Sequence, residues 1–181
     1  MFVKKKSCLL LTFILALCVG CTKQNDTKEL EPSKSSLSIT EIYKIEDESE
    51  FLNALDTYLT DKASSDIDSL NEVERNLYLT LNWKKEKDLG LYSYFISDAG
   101  YYYKDTIKAL QLVGAYYDAE ILEMASEEIE LSKDIDKRKE EIKDAGYQTL
   151  WNQLDESLSE SYDDIDAKCY YYALQHKEMM Q

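Results

Sequence analysis

Apolar side chains recur every three or four residues along most of the chain beyond residue 48, the spacing that lines one face of an α-helix. Phe51, Leu52, Leu55, Tyr58 and Leu59 form the first stripe, which Asp47 and Glu50 open as a capping box. Leu70, Val73, Leu77 and Leu81 form the second, with Ser69 and Glu72 as its expected box. Leu91, Tyr92, Tyr94 and Phe95 make a short, strongly apolar piece between Gly90 and Gly100. Tyr103, Ile107, Leu110 and Val113 line a helix that should stop at Gly114, and Asp118 is expected to cap another bearing Ile121, Leu122, Ala125 and Ile129. Residues 135–145 are mostly charged and predict an edge helix. Leu150, Trp151, Leu154 and Leu158 give one more stripe, and Tyr162, Ile165, Cys169, Tyr172 and His176 share a face of the last helix. Residues 37–46 read two ways: Leu37 and Ile39 alternate as in a strand, while Ser38 with Glu41 reads as a capping box. No proline follows Pro32. The pattern predicts an all-α, multi-helix single domain over residues 38–181.

The N-terminus has a different grammar. Lys4, Lys5 and Lys6 precede an apolar run from Cys8 to Val19 that only Thr12 interrupts, and Gly20-Cys21 closes it. The run is shorter than the roughly 20 residues that a membrane-spanning helix needs. Residues 1–21 resemble a bacterial lipoprotein signal, in which the bond between Gly20 and Cys21 is cut and Cys21 carries the lipid. Cys18 stands three positions before Cys21, where that pattern has Leu, Val or Ile. An uncleaved anchor or an ordinary signal peptide is the alternative. The expectation is a signal peptide over 1–20, export to the cell envelope, and attachment to a membrane through lipid on Cys21. Residues 21–37 are polar, hold the one proline and read as a tether. A flexible chain of about 15 residues reaches roughly 20–25 Å.

Charge narrows the range of partners. The whole chain carries 21 basic and 36 acidic residues, a net −15. The signal holds three Lys and no acid, so the remainder holds 18 basic against the same 36 acidic residues, a net −18. Phosphate neutralisation needs clustered Lys and Arg, so nucleic acid is not an expected partner, and an anionic lipid surface would repel the domain. A protein with a basic surface is the expected one. Acids dominate residues 41–74 (11 against two Lys) and 116–166 (17 against five basic residues), around a Tyr-rich middle with six basic and four acidic residues. Beyond the signal and Cys21, Cys169 is the lone thiol, which excludes an intramolecular disulfide framework.

Within that middle lie the stretches LNEVERNLYLTLNW, GLYSYFISDAG and TIKALQLVGAYYDAEILEMA. They resemble the family of DNA-mimic protein nineteen, a domain of unknown function. Its members carry a core close to N-G-G-F-x-Q-Y-F-x-N-x-x-G, then a helix of the form E-A-L-x-x-I-G-A. Gly90, Tyr94, Phe95 and Gly100 match the core, and Gly114 with its neighbours matches the helix, the best agreement lying over residues 70–125 and a weaker one reaching 178. Asp88-Leu89-Gly90 replaces the Asn-Gly-Gly turn, and Ser93 and Ser97 replace Gln and Asn. The resemblance implies a helical fold, and it brings one function with it: an acidic surface that imitates DNA and occupies a DNA-binding protein.

Two kinds of residue could carry an interaction. Tyr101, Tyr102 and Tyr103, Tyr116 and Tyr117, and Tyr170 to Tyr172 are consecutive, and successive helical residues point about 100° apart, so some rings must be exposed. Exposed Tyr offers large contact area at low entropy cost. Tyr101, Tyr102, Tyr116 and Tyr117 are therefore candidate contacts, with Glu127, Glu128, Asp163 and Asp164 as candidate carboxylate rows. Catalytic chemistry finds no foothold. Cys169 and His176 lie seven apart, about 10 Å along a helix, too far for a nucleophile and its base. A Gly-rich phosphate loop, a Ser-centred nucleophile motif and an EF-hand are missing, so no cofactor, no metal and no enzymatic activity are expected.

Overall fold

A computed structural model describes residues 37–181 apart from 128, and these belong to one compact unit. The signal, Gly20, Cys21 and nearly all of the tether lie outside the described residues. Among the described residues, ten α-helices follow one another: α1 (Ile39–Ile42), α2 (Glu48–Ala63), α3 (Glu72–Lys87), α4 (Leu91–Phe95), α5 (Tyr103–Val113), α6 (Tyr116–Ala125), α7 (Ile135–Ala145), α8 (Gln148–Ser159), α9 (Ile165–Gln175) and α10 (Lys177–Met180). Two 3-10 turns, Ile67–Ser69 and Ala99–Tyr102, lead into α3 and α5. The described residues contain no strand, so the all-α expectation holds. Residues 37–46 resolve in favour of the capping box: Ser38 and Glu41 close it, and Ile42 is buried beneath.

Four local expectations change. The box that opens α3 is Asn71 with Glu74, because Leu70 belongs to the preceding turn and the helix starts later than its first apolar residue suggests. Asp118 caps nothing: α6 begins at Tyr116 with Ala115 at its cap, and Asp118 sits in the first turn, fully buried. Ile129 is buried but lies past the end of α6. The last stripe also loses a member, since Tyr162 precedes α9 and is 81% exposed.

Helix α3 is the axis of the domain, packed most extensively on α5 and also on α9, α4 and α2, while α5 packs on α6 and α6 on α8. Its centre is an aromatic chain. Trp83 meets Tyr94 edge-on at 4.9 Å, Tyr94 meets Phe95 at 5.3 Å, and Phe95 stacks on Trp151 at 4.8 Å. Such pairs add about 0.5–1.5 kcal/mol each beyond the apolar area they bury. Both indole N–H groups are satisfied, Trp83 by the Asp118 carboxylate and Trp151 by the Ala125 carbonyl. Gly100 is the backbone counterpart of this packing. A Cβ there would stand 2.3 Å from the Tyr94 carbonyl oxygen and 2.7 Å from Phe95 Cα, so only glycine lets the turn close on α4.

Candidate interaction surface

The Tyr101–Tyr103 triplet divides as helical geometry demands. Tyr103 turns inward and its hydroxyl donates to the Ile129 carbonyl at 2.6 Å, which pins the segment after α6 against the start of α5. Tyr102 is half-buried and Tyr101 is exposed. Their rings line a cleft of about 790 Å³ with Asp66, Asp68, Arg75, Asp105 and Lys133 among its walls. Arg75 lies over the Tyr102 ring at 5.8 Å and bridges Asp68 at 2.7 Å and Asp105 at 3.1 Å, while Lys133 lies over Tyr101 at 5.8 Å. The cations here are therefore partly spent on neighbours within the chain.

A groove of about 890 Å³ adjoins this cleft, and Tyr103, Lys104 and Glu130 line both. Ile107, Met124 and Ile129 supply its apolar walls, and Glu120, Glu123, Glu127 and Glu130 its acidic ones. Tyr101, Tyr102 and Glu127 thus belong to one continuous surface. Glu123, Glu130, Met124 and Ile107 are further members that the sequence reading did not assign to a contact surface. The spacing of Glu120 and Glu123, three residues apart, was a usable signal, because it puts both on one edge of α6, whereas Glu127 and Glu130 lie past its end, where helical spacing says nothing.

The other candidates stand elsewhere, and one of them is corrected. Asp163 is no free carboxylate: its side chain is only 5% exposed, it accepts the backbone N–H of Tyr117 at 2.9 Å and of Asp118 at 3.1 Å, and it pairs with Lys168 at 3.1 Å. It caps α6 from across the fold. Asp164 is exposed but serves as the N-cap of α9, accepting from Ala167 at 3.1 Å. Tyr117 is half-buried against Tyr162 at 5.1 Å, with its hydroxyl on the Ser157 carbonyl, and Tyr116 beside it is 69% exposed. Glu128 lies outside the described residues.

Asp118 ties this end of the domain together. Its buried carboxylate accepts from Trp83 Nε1 at 2.8 Å, Lys87 Nζ at 2.8 Å and Ser161 Oγ at 2.5 Å. Three donors converge on one group, two from the last turns of α3 and one from the segment after α8, so its charge is matched and its lone pairs are used. Glu74 is held in the same way, between Lys62 at 2.7 Å and the Tyr58 hydroxyl at 3.1 Å.

Cys169 is buried and burial pushes its thiol up to about 12, far from the thiolate that reacts or binds metal. His176 Nδ1 lies 2.8 Å from the Tyr172 carbonyl, one turn back. No group of three His, Cys, Asp or Glu among the described residues could hold a metal ion, and no helix among them is long and apolar enough to cross a membrane. The residues that matched the family core are framework: Tyr94, Phe95 and Gly100 are buried, and Ser97 donates to the Tyr94 carbonyl to hold the turn between them.

The chain belongs to the DMP19-like protein family, whose model matches residues 68–176. That span runs from the turn before α3 to the end of α9 and includes the groove and most of the cleft. Neither the curated proteins nor the solved structures contain a match to the chain.

Proposed function

We propose that this chain is a lipid-anchored protein of a bacterial envelope whose acidic helical domain binds a basic protein and performs no catalysis. The observation that supports this best is the continuous surface of cleft and groove, where exposed tyrosine meets four glutamates. Lipid on Cys21, after cleavage behind Gly20, would hold the domain at the outer face of the cytoplasmic membrane or at the outer membrane, in the path of an incoming protein. An immunity-type role, neutralising a basic toxin, is the specific form that size, acidity and anchor favour. Binding led by charge weakens as salt rises, because the Debye length falls from about 10 Å at 0.1 M to about 3 Å at 1 M. A pull-down across that range should lose its partner; retention unchanged at 1 M salt would refute a charge-led interface.

Membership of the DMP19-like family favours a second reading, a DNA mimic that occupies a DNA-binding protein. The two readings need different compartments. Cell fractionation separates them: in the first, the wild-type chain sediments with membranes and Cys21→Ser releases it, whereas a cytoplasmic mimic stays in the cytosolic fraction whichever residue stands at 21.

A further inference from the structure

We infer that the groove between α5 and α6 seats one amphipathic helix with Lys or Arg along its flanks. The inference rests on the acidic-domain reading above and narrows the partner to a shape. Two properties coincide in the groove. Ile107 from α5, Met124 near the end of α6 and Ile129 beyond it form an apolar lining, and Met124 stays 40% exposed. Glu120, Glu123, Glu127 and Glu130 surround that lining, against one cation, Lys104. Carboxylates alone would suit any cationic surface, and a DNA-like array needs no apolar lining. An apolar lining alone would suit any hydrophobic ligand. Together they select a ligand whose apolar stripe is flanked by positive charge, which a helix with apolar residues at i, i+3, i+4 and i+7 presents.

Dimensions agree. Helix α6 has ten residues, about 15 Å at 1.5 Å each, which matches roughly three turns of a docked helix. Methionine in the contact is unbranched and polarizable, so it can repack around apolar side chains of different outline. An anionic membrane surface fails the same test on charge, since the groove repels it.

Two fluorescein-labelled 14-residue peptides test this against the full chain by anisotropy. One carries Leu at helical i, i+3, i+4 and i+7 positions with Lys elsewhere; the other has the same composition scrambled so that no single face is apolar. The first should bind at least tenfold more tightly. Met124→Asn should abolish that difference, Met124→Leu should restore it, and Glu123→Gln with Glu127→Gln should weaken both peptides and flatten their salt dependence. Circular dichroism confirms that each variant is folded. Equal binding of both peptides, falling with salt, would overturn the groove and leave the acidic interaction domain standing, as would discrimination that survives Met124→Asn. No binding of either peptide at low salt would overturn both.

Discussion

Asp118 and Asp163 show how a single carboxylate changes meaning with its surroundings. Both belong to an acidic block that reads as solvated surface, yet both are held inside by donors from distant segments. Asp118→Ala would leave Trp83 Nε1, Lys87 and Ser161 without their acceptor, and removing one partner of a buried pair costs about 3–5 kcal/mol. Asp163→Ala removes an N-terminal cap and should cost about 1–2 kcal/mol. Urea unfolding followed by circular dichroism checks both, and the order matters more than the values. Equal, small losses would mean that the buried network is not what orders this end of the domain. Neither role was legible in the sequence, because the hydrogen-bond donors that hold the two carboxylates lie 31 to 46 residues away.

At the scale of elements, sequence periodicity located α2, α3, α5, α6, α8 and α9, because each buries a stripe that repeats at three or four residues, while α4 was marked by its apolar run between glycines and α7 by its charge. The stripes erred where a backbone turn intervened. Leu70 and Ile129 are buried from outside the helices to which their spacing assigned them. Helix α7 was expected at the edge, and it buries only Arg138 and Ile142. Arg138 is fully buried, and its Nη2 donates to the Ser97 carbonyl at 2.8 Å, but Nε and Nη1 have no acceptor among the described residues. Burial accordingly lowers the affinity of this guanidinium for its proton. A helix held by one aliphatic side chain and a poorly matched cation should open first. Amide hydrogen exchange should therefore be faster throughout α7 than in α3 or α5, and protection in α7 equal to that of α3 would contradict this order.

The candidate surface was half legible for a related reason. Consecutive tyrosines guaranteed that some rings face water, and Tyr101, Tyr102 and Glu127 do meet on one surface. The apolar lining of the groove was hidden because Ile107 and Ile129 read as ordinary core positions, and only the packing of α5 on α6 leaves them beside a groove.

For the molecule as a whole, buried weak acids predict alkaline instability. Burial pushes the Cys169 thiol from 9.0 to about 12 and the Tyr43 hydroxyl from 10.0 to about 12, and raises Tyr94 as well. Each folded value lies above the unfolded one, so the unfolded chain releases its proton first and gains stability relative to the native state. Stability is then intact below about pH 9 and falls as pH climbs towards 12, with a slope approaching about 1.4 kcal/mol per pH unit for one proton. The urea midpoint measured from pH 8 to 11 should show this decline, and Cys169→Ala should remove its earliest part. A flat profile would refute the burial of these groups.

Family membership and acidity leave the place of action open, since the same helical domain could serve on either side of a membrane. The chemical state of Cys21 separates the two. Mass spectrometry of the mature N-terminus is the most direct measurement. The expected result is a chain that begins at Cys21 with a diacylglyceryl group on its sulfur. A chain that still begins at Met1, with a free thiol at Cys21, would contradict the lipid-anchored reading.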